Sequence, residues 1–340
     1  MRFLFAIIVV LGIMTAGAVE WAAGAWNEPG PRAQSDNQTV VLIAPHTRVH
    51  DIAQQLQNAH VLNYALVFEL DLRLHGMNDK VKAGEYGIPS GATLAQIAAI
   101  LVSGKSIQHK LTAAEGLTSD MIWKLVQADP VLTGDAGPAP AEGTLLPETY
   151  LFTRGVTRAE MLGRMQKAQA KYLGEIWPGR VQGLPFQTMA EAVVLASVVE
   201  KETSLPEERR HIAAVFVNRL KAGMKLQSDP TIIYGISKGY PLGRGIRESE
   251  IQGATPYNTY VIDGLPPAPI CNPGKDSLAA VLNPETSADL YFVATGQGGH
   301  VFAATMAEHD KNVIAYRALE KAKEKGDVAV PAPAPRHRHA

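Results

Sequence analysis

The sequence predicts an α+β protein with an N-terminal transmembrane helix, a small first domain and a larger mixed α/β second domain. Three observations carry this prediction: an uncharged N-terminal run, a polar linker after it, and strand patterns that alternate with amphipathic helices. With 340 residues, of which 46% are hydrophobic and 19% charged, the chain can build two compact domains. Its formal net charge of −1 argues against binding to duplex nucleic acid, so we predict no nucleic-acid partner.

The N-terminal run extends over residues 3–19, which carry no charge and follow Arg2. Its length is at the short end of what crosses a bilayer, and indole rings such as those of Trp21 and Trp26 favour the membrane interface. A basic residue on the short side predicts a cytoplasmic N-terminus, so the rest of the chain is expected outside, as a single-pass inner-membrane protein with a periplasmic body. The alternative is a cleaved signal peptide, because Ala16–Ala18 is typical of a cleavage site. Export follows from either.

The domain boundaries follow from changes in composition and periodicity. We predict a transmembrane anchor over 1–26, a linker over 27–39, a small domain over 40–106, a larger domain over 107–327 and a disordered tail over 328–340. The linker is polar and contains Pro and Gly, whereas the tail is rich in Pro and Ala. Both compositions are unsuited to a packed core.

The sequence pattern predicts the order strand–helix–helix–strand–helix for the small domain. Residues 40–44 form an apolar run, and the apolar spacing over 49–56 is that of an amphipathic helix. A second helix is expected over 63–75 and a returning strand over 84–88. Thr93 predicts the N-cap of a last helix, which ends at Gly104.

The larger domain carries the longest helix signal, over 188–203, which is apolar on nearly all sides and should therefore be buried. A second helix is expected from Pro206 to Ala222. Dense Gly and Pro from 223 to 274 predict a loop-rich region, in which Asp229-Pro230 suits a turn. A strand over 290–294 and a helix over 303–325 complete the domain.

Metal and thiol chemistry find little support in the residues. A single cysteine, Cys271, excludes intrachain disulfides and a cysteine-based zinc site, and no histidine nearby in sequence would activate it as a nucleophile. His300 and His309 lack the spacing of a zinc site. We therefore predict no metal and no organic cofactor.

Glu200 is the sharpest candidate for chemistry, because eight small or apolar residues lead into it. Its carboxyl group is expected to leave a buried helix at the wall of a cavity, where partial burial favours the protonated form that a general acid needs. The alternative is that Glu200 only marks where a core helix reaches solvent, and periodicity alone favours that alternative. Glu202 competes for the role, and helix geometry does not decide between them.

Five stretches in the same order resemble the endolytic murein transglycosylase family (MltG, YceG-like). They are 142–150 (EGTLLPETY), 195–203 (LASVVEKET), 215–235 (VFVNRLKAGMKLQSDPTIIYG), 256–260 (PYNTY) and 264–277 (GLPPAPICNPGKDS). The resemblance continues through 291–293 and 299–302, and the small domain looks like the family's LysM-like domain. It therefore spans almost the whole chain, which makes it specific.

The resemblance implies a lytic transglycosylase with Glu200 as its catalytic residue. In the family this glutamate protonates the glycosidic oxygen between MurNAc and GlcNAc and then takes the proton from the MurNAc 6-hydroxyl, which attacks the anomeric carbon. The product end is 1,6-anhydroMurNAc, formed without water or cofactor. By the same resemblance, the enzyme would cut within nascent strands, help to terminate glycan elongation, and have penicillin-binding proteins or other wall-synthesis proteins as partners.

Other residues at motif positions suit sugar binding, because amides and phenols match hydroxyl-rich ligands. These predicted substrate-binding residues are Gln227, Asp229, Tyr234, Tyr257, Asn258 and Asn272. Some have structural alternatives, because Asp229 and Asn272 lie in turn-like sequences and Tyr234 suits a core.

Two rival functions stay open at the level of sequence. One is a two-carboxylate hydrolase in which Glu200 acts as the acid and Asp229 or Glu142 activates water. The other is a non-catalytic scaffold in which the 40–106 domain binds the cell wall and Glu200 is structural.

Overall fold

The computed structural model describes residues 2–33 and 37–324. The predicted disordered tail over 328–340 and part of the predicted linker lie outside the described residues. The chain is α+β, as predicted, and it divides into two compact units. Unit 1 comprises the residues up to 110 together with 131–133 and 151–156, and unit 2 comprises 111–130, 134–150 and 157 onward. The predicted boundary at 106 stays a prediction.

Unit 1 begins with a long helix and continues with the predicted order of elements. Its elements are α1 (Arg2–Asn27), β1 (Gln38–Ile43), α2 (Val49–Asn58), α3 (Ala65–Leu74), β2 (Gly84–Pro89) and α4 (Leu94–Ser103). The strands β1 and β2 are antiparallel, with Gln38 opposite Pro89 and Ile43 opposite Gly84. Phe68 and Tyr86 are completely buried in the core between the helices and this sheet. Thr93 and Gly104 cap the two ends of α4, as predicted.

Helix α1 extends over the predicted anchor. Across the part of the chain that the structure describes, no helix combines the length and the apolar character that crossing a bilayer would require. Near the end of α1, Trp26 stacks on Phe68 and on His75, with ring centroids 6.4 and 5.9 Å apart.

Unit 2 is mainly helical. Its helices are α5 (Ser119–Ala128), α6 (Arg158–Ile176), α7 (Met189–Glu202), α8 (Pro206–Lys221), α9 (Asp229–Ser237), α10 (Glu248–Ile251), α11 (Lys275–Leu282) and α12 (Met306–Glu324). In the chain as a whole, the strands that follow β2 are β3 (His109–Thr112) and β4 (Thr149–Phe152), which pair with each other, and β5 (Tyr291–Ala294) and β6 (His300–Ala303), which belong to this unit and are antiparallel.

The core of unit 2 lies around α7, which packs on α8 and α11. Residues 192–199 of α7 are all buried, which confirms the prediction of a buried helix. Ile212 and Phe216 of α8 contribute to the same cluster and are at most 1% exposed. Because α7 is enclosed on several sides, its C-terminal end, which carries Glu200, is held in position.

The predicted loop-rich region over 223–274 contains two helices, α9 and the short α10. Asp229-Pro230 begins helix α9 instead of forming a turn, and Pro230 lies in the first helical turn. Proline is tolerated there because the first amide groups of a helix have no intrahelical partner and its fixed φ already suits a helix. The Asp-Pro sequence therefore suits the start of a helix as well as a turn.

Thr188 should contribute measurably to stability, because it caps the helix that carries Glu200. Its hydroxyl oxygen accepts a hydrogen bond from the amide of Glu191 at 3.2 Å, and the Glu191 carboxylate accepts one from the Thr188 amide at 2.9 Å. We expect Thr188→Ala to lower the free energy of unfolding by about 1 kcal/mol, measured by urea denaturation. Thr188→Ser keeps the hydroxyl and is the control. An equal loss in both variants would contradict the capping explanation.

Candidate functional site

The carboxyl group of Glu200 stands at the end of α7 and its side chain is 6% exposed. One of its oxygens, Oε2, accepts hydrogen bonds from the amide of Gly274 at 2.9 Å and from the hydroxyl of Ser277 at 2.7 Å. Gly274 is the N-cap of α11, so the positive end of that helix points at the carboxyl group. Oε2 is therefore held in one place by the protein.

The segment that supplies these donors is attached to α7 one turn earlier. The hydroxyl of Ser197 accepts a hydrogen bond from the amide of Ile270 at 3.0 Å, and the thiol of Cys271 donates to the carbonyl of Ser197 at 3.4 Å. Cys271 is completely buried, and burial raises the pKa of its thiol. A buried, protonated thiol is a poor nucleophile, in agreement with the sequence analysis.

The second oxygen of Glu200, Oε1, faces Arg209 of α8. The Nη2 atom of Arg209 is 3.6 Å from Glu200 Oε1 and 3.4 Å from Glu115 Oε2, and its Nη1 atom is 3.2 Å from Asp276 Oδ2. The guanidinium group is only 8% exposed, whereas Glu115 is 43% exposed. Burial raises the pKa of Glu115, and the negative charge of Glu200 raises it further.

Sequence reasoning missed both Glu115 and Arg209. The sequence patterns do not single out Glu115, and they place Arg209 only within the predicted helix from Pro206 to Ala222. One signal was available for Arg209, because a charged residue at a buried helix position needs a charged partner.

Glu202 takes part in a different network. Two positions along a helix turn a side chain by about 200°, so Glu202 cannot face the partners of Glu200. Its Oε1 accepts a hydrogen bond from the hydroxyl of Ser228 at 2.5 Å. Burial raises its pKa to about 7, the charge of Asp229 adds to this rise, and Arg219 opposes it. Glu200, and not Glu202, meets Gly274 and Ser277 of the 264–277 motif.

Gln227 and Asp229 both lie exposed at the start of α9. Gln227 has a left-handed backbone (φ 53°), and its side-chain oxygen accepts a hydrogen bond from Arg219 at 3.2 Å. The carboxylate of Asp229 accepts a hydrogen bond from the hydroxyl of Tyr260 at 2.7 Å. Both side chains are accessible to a ligand, and their predicted contact with substrate stays a prediction.

The predicted pair Tyr234 and Tyr257 lies together, with ring centroids 4.8 Å apart. Tyr234 is 8% exposed, and its hydroxyl donates to Glu142 Oε2 at 3.2 Å. Burial raises the pKa of Tyr234, and the charge of Glu142 raises it further. Tyr257 is half-buried, so its ring is the more accessible of the two.

Asn258 and Asn272 are completely buried, and their amides are bonded to protein groups. Asn258 donates to the carbonyl groups of Ile251 and Gly253, at 2.8 and 2.7 Å. Asn272 donates to Glu142 Oε1 at 3.2 Å and accepts from the amide of Leu145 at 2.9 Å. The structure thus shows these two residues organising loops, and their predicted contact with sugar stays a prediction.

A mainly apolar cavity of about 380 Å³ lies beside Glu142. Its walls include Gln169, Val193 and Pro269, and burial raises the pKa of Glu142. Gly143 has φ 75°, and a β-carbon there would approach Pro269 to 2.6 Å. The Glu-Gly sequence at 142–143 therefore matches a turn that only glycine fits.

The chain was compared with known proteins. A model described as the YceG-like family matches residues 41–315. The endolytic murein transglycosylase of Bacillus subtilis (strain 168) is 32% identical over 229 residues, which cover 66% of this chain and 62% of that protein. The endolytic murein transglycosylase of Streptococcus pneumoniae serotype 2 (strain D39 / NCTC 7466) is 29% identical, over 92% of this chain and 65% of that protein. The chain thus spans less than two thirds of the length of these two relatives.

A solved structure has a similar fold. The 2.6 Å crystal structure of a putative yceG-like protein from Listeria monocytogenes superposes with a TM-score of 0.51 and 29% sequence identity. The match covers 82% of this chain and 99% of the other.

The raised pKa of Glu202 predicts a pH dependence of stability. The pKa is about 7 in the folded protein and 4.5 for an unperturbed glutamate, so the folded state binds this proton more tightly. The resulting stabilisation is complete below pH 4.5 and is lost as the pH rises through about 7. We expect Glu202→Gln, which keeps an acceptor for Ser228, to reduce the fall in Tm between pH 5 and 8 by about 3–6 °C.

Thermal unfolding at several pH values tests this expectation. Glu175→Gln is the control, because Glu175 is an exposed carboxylate paired with Lys171 at 3.8 Å. Parallel Tm curves for Glu202→Gln and the wild type would contradict the assignment.

Proposed function

Because the chain belongs to the YceG-like family, we propose that it is an endolytic peptidoglycan lytic transglycosylase that cleaves the bond between MurNAc and GlcNAc within glycan strands. The named activity of its relatives supports the reaction class. The observation that carries the proposal is the unequal environment of the two oxygens of Glu200. Oε2 is held by Gly274 and Ser277, whereas Oε1 has no hydrogen bond within the described part of unit 2.

The acid step uses Oε1. Protonated at this atom, Glu200 donates its proton to the glycosidic oxygen as the bond from that oxygen to the MurNAc anomeric carbon breaks. The two hydrogen bonds to Oε2 stabilise the carboxylate that remains, and so does the positive end of α11. Fixing one oxygen also orients the other, which keeps the donor at a constant position through the step.

The second step returns the proton. The carboxylate of Glu200 takes the proton from the MurNAc 6-hydroxyl, whose oxygen bonds to the anomeric carbon. The product is a 1,6-anhydroMurNAc end, and Glu200 regains its starting state without consuming water. One carboxyl group that changes role performs both transfers, with no metal and no organic cofactor.

Hydrolysis would need a second carboxylate that holds a water molecule near the anomeric carbon. The two carboxylates weighed for this role are both engaged: Glu142 accepts hydrogen bonds from Ser119 and Tyr234, and Asp229 accepts one from Tyr260. These contacts argue against Glu142 and Asp229 as the water-activating carboxylate of a hydrolase. Glu115, which lies nearer to Glu200, is paired with Arg209.

The proposed substrate and the N-terminal sequence support a proposal about the subcellular location. We propose that the protein is exported and stays attached to the inner membrane through residues 1–26, with its catalytic part in the periplasm beside penicillin-binding proteins. Residues 40–106 would be the LysM-like domain. In support, β1, α2, α3, β2 and α4 follow one another in the order that the sequence predicts for these residues, with β1 and β2 antiparallel.

Glu200→Gln tests the reaction and the residue together. The full-length protein is incubated with uncrosslinked glycan strands, and the new ends are identified by mass spectrometry. We expect anhydro-ended products from the wild type and a loss of about 100-fold or more in rate for Glu200→Gln, because the amide has no proton to transfer.

Glu202→Gln is the matched control, two residues away in the same helix, and should retain activity. Hydrated ends would overturn the transglycosylase in favour of a hydrolase. Products that persist in Glu200→Gln and vanish in Glu202→Gln would transfer the catalytic role to Glu202. Glycan binding without any product from the wild type would favour the scaffold.

Cell fractionation tests the proposed location. We expect the full-length protein in the inner-membrane fraction after carbonate washing, with a mass that retains residues 1–26. Protease should reach its body only when the outer membrane is permeabilised. A soluble periplasmic form of smaller mass would contradict the anchor, and protection inside intact inner-membrane spheroplasts would contradict export.

A further inference from the structure

A turn at Glu115–Leu117 lies directly against the site of Glu200. Its position is fixed by two backbone hydrogen bonds with Asn272, from the Gly116 amide at 3.0 Å and to the Leu117 carbonyl at 2.9 Å. Lys201 holds the same turn from the other side, because its ammonium group donates to the Gly116 carbonyl at 3.3 Å. The turn is therefore bound both to α7 and to the segment that precedes α11.

The carboxylate of Glu115 shares a single nitrogen with that of Glu200. Arg209 Nη2 is 3.4 Å from Glu115 Oε2 and 3.6 Å from Glu200 Oε1, so the two carboxylate oxygens lie within about 7 Å of each other. Gly274 adjoins both groups: its amide donates to Glu200, and a β-carbon at this position would come within 1.9 Å of Glu115 Oε1. Glycine at 274 thus leaves room for the carboxylate of Glu115 beside the catalytic one.

Arg209 is shared among several carboxylates. One guanidinium group meets three carboxylates, from Glu115, Glu200 and Asp276. Four further groups lie near this cluster. Lys201 is bonded to the turn, Arg210 lines the same cavity as Arg209 and Asp276, Tyr172 interacts with the charge of Asp276, and the buried thiol of Cys271 is neutral. The side chains of Arg209 and Glu200 are 8% and 6% exposed, so water screens their interaction weakly, whereas Asp276 is 70% exposed and is screened more strongly. Burial raises the pKa of Glu115, and the charges of Glu200 and Asp276 both raise it further.

Arg209 alone would be harmful to a general acid. A cation 3.6 Å from Oε1 favours the ionised form of Glu200, which cannot donate a proton to the leaving group. Glu115 opposes this effect in two ways, because it attracts the same nitrogen atom and because its own charge repels that of Glu200. The pKa of Glu115 is itself raised, by burial first and by the negative charge of Glu200 second.

We propose that Glu115 is a positioning residue of the catalytic site, which competes with Glu200 for Arg209 and so keeps Glu200 able to hold the proton for the leaving group. This inference rests on the proposed function of Glu200 as the acid. Glu115 touches no reacting atom in this role, and it acts through Arg209 and through its charge.

The pH–rate profile of Glu115→Gln is the test. Without the carboxylate, Arg209 is free to pair with Glu200, which then loses its proton at lower pH. We expect the alkaline limb of kcat/KM to move to lower pH by about one to two pH units, the size of the interaction between charges about 7 Å apart near a protein surface. Activity below the shifted limb should stay within a few-fold of the wild type.

Two variants make the result specific. Glu115→Asp keeps the charge and should restore the alkaline limb most of the way to the wild-type position. Glu175→Gln, which removes an exposed carboxylate paired with Lys171, should leave the profile unchanged. An unchanged limb in Glu115→Gln, or an equal shift in Glu175→Gln, would overturn the proposal. Loss of activity at every pH in a folded Glu115→Gln protein would also overturn it, because Glu115 would then act directly on the substrate.

A second measurement does not depend on the reaction. The pH titration of the Glu200 carboxyl carbon, followed by NMR in the full-length protein and assigned by its absence in Glu200→Gln, should move to lower pH in Glu115→Gln by the same amount. An unmoved titration would overturn the coupling even if the enzyme were inactive. The identity of the product ends separates this inference from the proposed function, because hydrated ends with the expected shift would refute the transglycosylase and retain the role of Glu115.

Discussion

The hydrogen bonds between the 270–277 segment and α7 are the constraint on which the candidate site depends. The segment is attached at Ser197 through the Ile270 amide, and it then meets Glu200 through the amide of Gly274 and the hydroxyl of Ser277. Because α7 is buried along residues 192–199, its C-terminal end has little freedom to move. The 270–277 segment is bonded to that end and is therefore also held in position. The bonds of Asn272 to Glu142 and to the Leu117 carbonyl then extend the same constraint to two further loops. Four distant parts of the chain are thus connected through the segment that holds the Glu200 carboxyl group.

This architecture also explains how α7 can carry two acidic residues with different tasks. Glu200 and Glu202 point in nearly opposite directions around the helix, so each is surrounded by its own partners. Glu202 meets Ser228 and the charge of Asp229, and burial raises its pKa to about 7. A high pKa is often taken as the mark of a catalytic acid, but a polar group buried in the protein acquires one without any substrate. Geometry therefore separates the two residues better than the pKa does.

Local patterns in the sequence predicted the elements that are defined by local forces. The periodicity of α2, the cap of α4 and the apolar stretch of α7 were sufficient to predict these helices. The start of α9 was missed because Asp-Pro suits both a turn and the first turn of a helix, and only the packing that follows decides.

Only the site residues that lie within the sequence motifs could be predicted. Arg209 pairs with Glu115 across 94 positions in the chain, and no periodicity encodes such a contact. Asn258 and Asn272 show a different difficulty. A side-chain amide can bind a sugar or hold a buried loop, and the residue type alone does not distinguish the two roles.

The distribution of charge connects this geometry to the chemistry. A carboxyl group that first donates and then accepts a proton must be stable in both states, and a site that strongly favours one of them would block half of the cycle. The donors on Oε2 and the guanidinium group of Arg209 are the partners of the Glu200 carboxyl group, and Glu115 and Asp276 pair with the same guanidinium group. Arg209 is therefore shared among all three carboxylates. A second carboxylate near a catalytic glutamate therefore does not by itself imply an attack by water. In this site it has a simpler physical role, which is to offset the cation that would otherwise hold Glu200 in its ionised form.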